Sequence, residues 1–217
     1  MSRHDIVRRL EASGLVAIVR ADTPQGLVEI CSALADGGIT ATEITLTTPG
    51  ALPAIEIAAK QLQGRCLIGA GSVLDGPTAS TAISAGAEYI VSPVTRRDVI
   101  DTAHRYGKAV VPGALTPTEI LDAWEAGADL VKVFPANHFG PRYFKDVLAP
   151  MPQLRLTPTG GVNLDTATEW LAAGAACLGV GSALIKKDLI AKGDWKGITS
   201  LAKQFVGTVD AYRAANG

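Results

Sequence analysis

The stretch WEAGADLVKVFP, residues 124–135, decides how this chain folds. A helical segment runs out at Gly127, and an apolar run with β-branched residues follows at once. The same syntax recurs in LADGGITATEIT (34–45), ISAGAEYIVSP (83–93) and LAAGAACLGVG (171–181). The glycine is the expected left-handed residue that ends a helix. The apolar run reads as a strand buried on both faces, as in a parallel sheet. Strands that alternate with helices imply repeated βα units.

Working outward, the spacing predicts eight strands, near 15–19, 39–46, 66–69, 89–91, 109–111, 130–134, 154–157 and 177–180. Helices are expected near 24–35, 51–61, 76–84, 97–106, 117–125, 143–148, 164–172 and 195–214, with an extra N-terminal helix over 3–12. Eight βα units in one chain of 217 residues make a compact (β/α)8 TIM barrel, an α/β fold, as a single domain over 1–217. A doubly wound open sheet is the alternative. No GxGxxG follows the first strand, which counts against it.

Composition narrows the function. A formal net charge of -1 gives no reason to expect nucleic acid or membrane partners. No apolar run of transmembrane length appears, and the charged start MSRHDIVRRLEASG lacks the apolar core of a signal peptide. Cys31, Cys66 and Cys177 are odd in number and far apart. They fit reduced thiols in the cytoplasm better than a disulfide framework or a zinc site.

In a barrel, chemistry collects at the C-terminal ends of the strands. Lys132 stands out there, because burying an ammonium among apolar residues is costly. Period two puts Leu130, Lys132 and Phe134 on one face and Val131 and Val133 on the other. With the β-branched pair toward the helices, Lys132 faces the barrel interior near its mouth. Desolvation there favours the neutral amine, which can attack a ketone and form a Schiff base. The alternatives are a buried ion pair and a strand-end lysine that reaches solvent. By the same alternation Ile39, Ala41, Glu43 and Thr45 share one face, so Glu43 can exchange protons with a lysine-bound intermediate or merely neutralise the lysine.

His4, His104 and His138 fall on helices or a loop, and no HxH or HExxH occurs, so no metal is expected. His138, just after the sixth strand, is the histidine with a chance of facing substrate. TPTGGV (157–162) and GVGSAL (179–184) follow the last two strands, where barrels often bind phosphate. Gly160, Gly161, Gly181 and Ser182 can bring backbone N–H groups to an anion; tight turns are the other use of such glycines.

These residues carry a resemblance. TEITLTTP, IGAGSVL, VSPVT, VPGALTPTE, VKVFPA, PTGGV and GVGSAL, in this order, resemble the class I pyruvate-dependent aldolases that cleave 2-keto-3-deoxy-6-phosphogluconate, its galactonate epimer and 4-hydroxy-2-oxoglutarate. The likeness runs from AIVRA to the last helix. It implies Lys132 as the Schiff-base lysine, Glu43 as the general acid/base and Phe134 as the aromatic beside the lysine. It implies Ser72 (usually Thr in the family) and Thr159 as pocket hydroxyls, Pro93 as a pocket wall, and Gly160, Gly161, Gly181 and Ser182 as the phosphate site. It implies no cofactor beyond the lysine imine, pyruvate and a 2-keto acid as ligands, and a homotrimer.

Two departures bear on substrate. Thr47 stands where the phosphogluconate enzymes commonly carry the arginine that binds the pyruvate carboxylate. Arg20, in AIVR, resembles the arginine of the phosphogalactonate enzymes, and HFGPRYFK (138–145) resembles that branch too. Arg20 is therefore expected to take over carboxylate recognition. The expected reaction is cleavage of a 2-keto-3-deoxy-6-phospho sugar acid to pyruvate and glyceraldehyde 3-phosphate. The alternatives are 4-hydroxy-2-oxoglutarate cleavage to pyruvate and glyoxylate, a phosphosugar isomerase or epimerase without covalent intermediate, and a non-catalytic phospholigand-binding barrel.

Overall fold

The computed structural model describes residues 1–216; Gly217, the last residue of the expected domain, lies outside them. The strands are β1 (Leu15–Val19), β2 (Ala41–Thr45), β3 (Leu67–Gly71), β4 (Tyr89–Val91), β5 (Ala109–Val111), β6 (Gly113–Ala114), β7 (Val131–Val133), β8 (Leu156–Pro158) and β9 (Leu178–Val180). The helices are α1 (Arg3–Ser13), α2 (Leu27–Asp36), α3 (Ala51–Gln61), α4 (Gly76–Ser84), α5 (Arg97–Arg105), α6 (Pro117–Glu125), α7 (Gly140–Leu148), α8 (Ala167–Ala172), α9 (Lys187–Lys192) and α10 (Trp195–Asn216). No helix among the described residues is long and apolar enough to cross a membrane.

All strand pairs are parallel, and the sheet curls. Its ladder divides in two, a six-stranded part in the order β5-β4-β3-β2-β1-β9 and a three-stranded part β6-β7-β8. The expected eightfold barrel is therefore met as an α/β fold with a curled parallel sheet. The fifth strand, β5, is met at its expected bounds, and the short β6, which was not expected, is set off from it by Pro112, since proline has no N–H for a ladder bond. The second strand starts at Ala41, two residues later than expected, so Ile39 packs in the helix layer and does not share the face of Glu43. Helix α9 was not expected; it is short and follows the expected GVGSAL turn.

Local chemistry explains the elements. Ser2 and Asp5 form a reciprocal capping box at the start of α1, and Gly14, at φ 66°, ends it. Arg213 of α10 donates to the carbonyls of Glu11 and Ala12, tying the last helix to the end of the first. Thr116 and Glu119 repeat the capping box at α6.

The core has two layers. Leu15, Ala17 and Val19 of β1 and Val131 and Val133 of β7 pack outward against the helices. Val16, Leu67, Tyr89, Val111 and Leu130 pack inward, joined by Ile6, Val7 and Leu10 of α1. Helix α1 thus plugs one end of the curled sheet.

Candidate active site

Two enclosed polar groups sit on the inner face. Lys132 is the middle residue of β7 and 7% exposed; Glu43 is the middle residue of β2 and 2% exposed. Both expected inward orientations are observed. They line one enclosed cavity with Tyr89, Thr157 and Thr159, floored by Leu10 of α1. Among the described residues Lys132 makes no ion pair, so the buried-ion-pair alternative is not what the structure contains. Its Nζ lies 5.3 Å from the centre of the Phe134 ring, a cation–π contact.

The room for Glu43 comes from a missing side chain. A Cβ on Gly71 would fall 1.8 Å from Glu43 Oε1, so IGAGS needs that glycine. Oε1 is buried without a hydrogen-bond partner among the described residues. Burial pushes the Glu43 carboxyl above its ordinary value, and the charges of Lys132 and Arg20 act against that. Glu43 is thus a carboxyl that holds a proton more readily than usual, within electrostatic reach of two cations.

Above this cavity opens a cleft of about 310 Å³. Arg20, Phe134, Thr159, Gly160, Gly161, Gly181 and Ser182 line it, seven of the residues singled out by sequence. Thr159 belongs to both cavity and cleft and joins them. Gly160 and Gly161 have φ of 96° and 76°, and a Cβ on Gly161 would meet Asn137 at 2.7 Å. Turn geometry therefore requires both glycines. Among the described residues neither of their N–H groups donates to another backbone group.

The other expected residues lie elsewhere. Pro93 lines a second cleft with Val94, Leu115 and Phe134, so Phe134 stands between the two clefts. Thr47 is exposed and donates to Thr45 Oγ1 at 3.2 Å; it lines neither the cavity nor the first cleft. Ser72 likewise lines neither, and has φ 61°, a left-handed conformation unusual for serine. His138 is exposed on a 3-10 turn outside both clefts. His104 faces Asp129 at 3.5 Å and lines neither the cavity nor either cleft.

Sequence reading missed three contributors. Tyr89 was read only as part of an apolar strand, yet its ring lines the cavity. Asp22 and Lys187 line the cleft and form an ion pair of 2.9 Å across its rim. Nothing in a linear sequence couples residues on the first and last βα loops. No cluster of three or more His, Cys, Asp or Glu side chains among the described residues is arranged to hold a metal.

Chemically, an enclosed amine beside a proton-holding carboxyl has the two functions that imine chemistry requires. The cationic, glycine-lined cleft above suits an anionic ligand.

The model of the KDPG and KHG aldolase family matches residues 6–201. The 2-dehydro-3-deoxy-6-phosphogalactonate aldolase of Escherichia coli K12 is 36% identical over 202 residues, covering 93% of this chain and 95% of the relative. The 2-dehydro-3-deoxy-phosphogluconate aldolase of Pseudomonas aeruginosa is 33% identical over 192 residues, covering 88% and 86%. The crystal structure of the KDPG aldolase of Legionella pneumophila, with pyruvate captured as a covalent carbinolamine intermediate, superposes with a TM-score of 0.84 at 28% identity and covers 91% of this chain and 96% of that one.

Proposed function

The chain belongs to the KDPG and KHG aldolase family, and from that premise we propose that it is a class I aldolase, a carbon–carbon lyase that reversibly cleaves a 2-keto-3-deoxy-6-phospho sugar acid to pyruvate and glyceraldehyde 3-phosphate. The observation that carries this is Lys132, enclosed and, among the described residues, without an ion pair, in one cavity with Glu43.

Neutral Lys132 attacks the C2 ketone, and Glu43 moves protons as the carbinolamine loses water. Glu43 then takes the C4 hydroxyl proton, directly or through water, as the C3–C4 bond breaks. The protonated imine accepts the electron pair and becomes an enamine. Protonation at C3, assisted by Glu43, and hydrolysis release pyruvate. The imine is the electron sink, so the lysine adduct does the work of a cofactor. A carbinolamine of pyruvate was captured in the Legionella enzyme, which supports the first step here.

Arg20 binds the keto-acid carboxylate at the cleft, where guanidinium geometry suits it. Gly160, Gly161, Gly181 and Ser182, lining the same cleft, hold the phosphate, and Thr159 offers its hydroxyl where cleft and cavity meet. Phe134 packs beside the amine, and Pro93 walls its far side. Thr47 acts through Thr45, which it hydrogen-bonds, and Ser72 through the turn after Gly71. We read the two ladders as one closed (β/α)8 barrel over 1–217. Support comes from β5 and β6 meeting at Pro112 and from the bridges Leu156↔Ala175 and Thr159↔Gly179 between the last strands. The reading includes a homotrimer in the cytoplasm; the three buried free thiols agree with a reducing compartment.

Borohydride reduction in the presence of pyruvate tests the proposal. The native protein should gain the mass of one reduced pyruvate unit, mapped to Lys132, and Lys132→Met should gain none. Turnover of a phosphorylated sugar acid without any trapped adduct would favour an isomerase-type mechanism and sink this one.

A further inference from the structure

Tyr89 carries a hydroxyl that the reaction above does not use. The residue is fully buried on the inner face of β4, and its Oη has no hydrogen-bond partner among the described residues. A buried phenol usually finds one. Glu43 Oε1 shares the same deficit.

Backbone register puts the two in one lateral row. Glu43 pairs with Gly69, and Gly69 pairs with Tyr89. Neighbouring strands lie about 4.8 Å apart, and the glycine between them has no side chain to fill the gap. The Tyr89 ring leans into that gap: a Cβ on Gly69 would fall 2.4 Å from its Cζ. The Glu43 carboxyl covers the next inward position, Gly71. Phenol and carboxyl thus occupy adjacent glycine positions on β3. Both border the same enclosed cavity of about 20 Å³.

We propose that Tyr89 is a positioning residue for Glu43, its hydroxyl holding the carboxyl from the floor side in the orientation that proton transfer needs. The inference rests on the reading of Glu43 as the acid/base. The charged groups facing Glu43 are Lys132 from β7 and Arg20 from the end of β1. On the inner face Tyr89 shares the cavity with Glu43 and Cys177, and the thiols of Cys66 and Cys31 act on it from the outer layer; burial keeps all three thiols neutral. Burial, with the Glu43 charge second, likewise pushes the Tyr89 phenol well above its ordinary value, so it stays a donor throughout the working range.

The test is the pH dependence of kcat/KM for sugar-acid cleavage, with Glu43→Gln as reference. Tyr89→Phe removes one oxygen and leaves the ring. It should keep KM within about two-fold, lose roughly ten-fold in kcat, and move the limb that Glu43 governs upward by about one pH unit, because the carboxylate has lost a donor. Placing 3,5-difluorotyrosine at residue 89, a stronger donor, should move the limb downward. A limb that stays in place in Tyr89→Phe means a packing role alone and overturns the proposal. If that variant fails to fold, an unmoved limb in the fluorinated chain does the same. Glu43→Gln with undiminished kcat would instead overturn the acid/base reading itself, a separate failure.

Discussion

A carboxyl enclosed beside an amine can be stored charged or neutral, and for Glu43 the surroundings favour neutral. Burial dominates over the attraction of Lys132 and Arg20, so its folded value lies above the ordinary 4.5. An unfolded chain releases this proton near 4.5, whereas the folded chain keeps it to higher pH. Between those limits the unfolded state binds fewer protons, so the contribution of Glu43 to stability is full below the unfolded value and is lost as pH rises through the folded one. Glu43→Gln keeps the shape and removes the charge. Thermal melts should therefore show the variant more stable at pH 7.5, by about 1–2 kcal/mol, with the gain fading toward pH 4. A variant that melts lower at pH 7.5 would mean that Glu43 is ionised and stabilised by Lys132. Both residues were legible in sequence, because a charge on an otherwise apolar strand is conspicuous and alternation assigns its face. Tyr89 was not, since an aromatic in an apolar run looks like ordinary core. Only the register with Gly69 reveals where its hydroxyl goes.

Elements were legible where glycine and capping chemistry punctuate them, and less so where packing decides. Strands β1, β4 and β5 and helices α3, α4 and α6 lie at their expected bounds. The strand at Lys132 is shorter than its apolar run: it covers Val131–Val133, and beyond it the Phe134 N–H still donates to the carbonyl of Ala114 in β6. The extra N-terminal helix was foreseen, but not which layer it joins, because amphipathic spacing says only that one face is buried. The structure sends that face inward, where Leu10 is 1% exposed and forms the floor of the cavity beneath Glu43 and Lys132. Leu10→Ala should lower unfolding free energy by about 2–4 kcal/mol, read as a lower denaturant midpoint at unchanged slope. A change below about 0.5 kcal/mol would mean that α1 covers the sheet without sealing it.

At the scale of the whole molecule, the repeat of helix, glycine and apolar run was enough to read a parallel α/β architecture built from βα units. What it could not supply is which distant loops meet. The ion pair of Asp22 and Lys187 joins the loop after the first strand to the start of α9, at the cleft that Gly160 and Gly161 also line. Both side chains are more than three-quarters exposed, so the pair adds little to stability. Its consequence is electrostatic. Lys187 offers a positive charge to the glycine-lined cleft, and Asp22 occupies that charge. An incoming dianionic phosphate competes with Asp22 for the ammonium, whereas a substrate without a phosphate does not. Lys187→Met should raise KM for phosphorylated sugar acids several-fold at low salt, with the difference shrinking as ionic strength screens it. Cleavage of 4-hydroxy-2-oxoglutarate should be unaffected, and Asp22→Asn should shift the phosphorylated substrates the opposite way. Steady-state kinetics on both substrate classes decides it: equal losses on both in Lys187→Met would mean that the lysine supports the cleft's shape and not the recognition of phosphate.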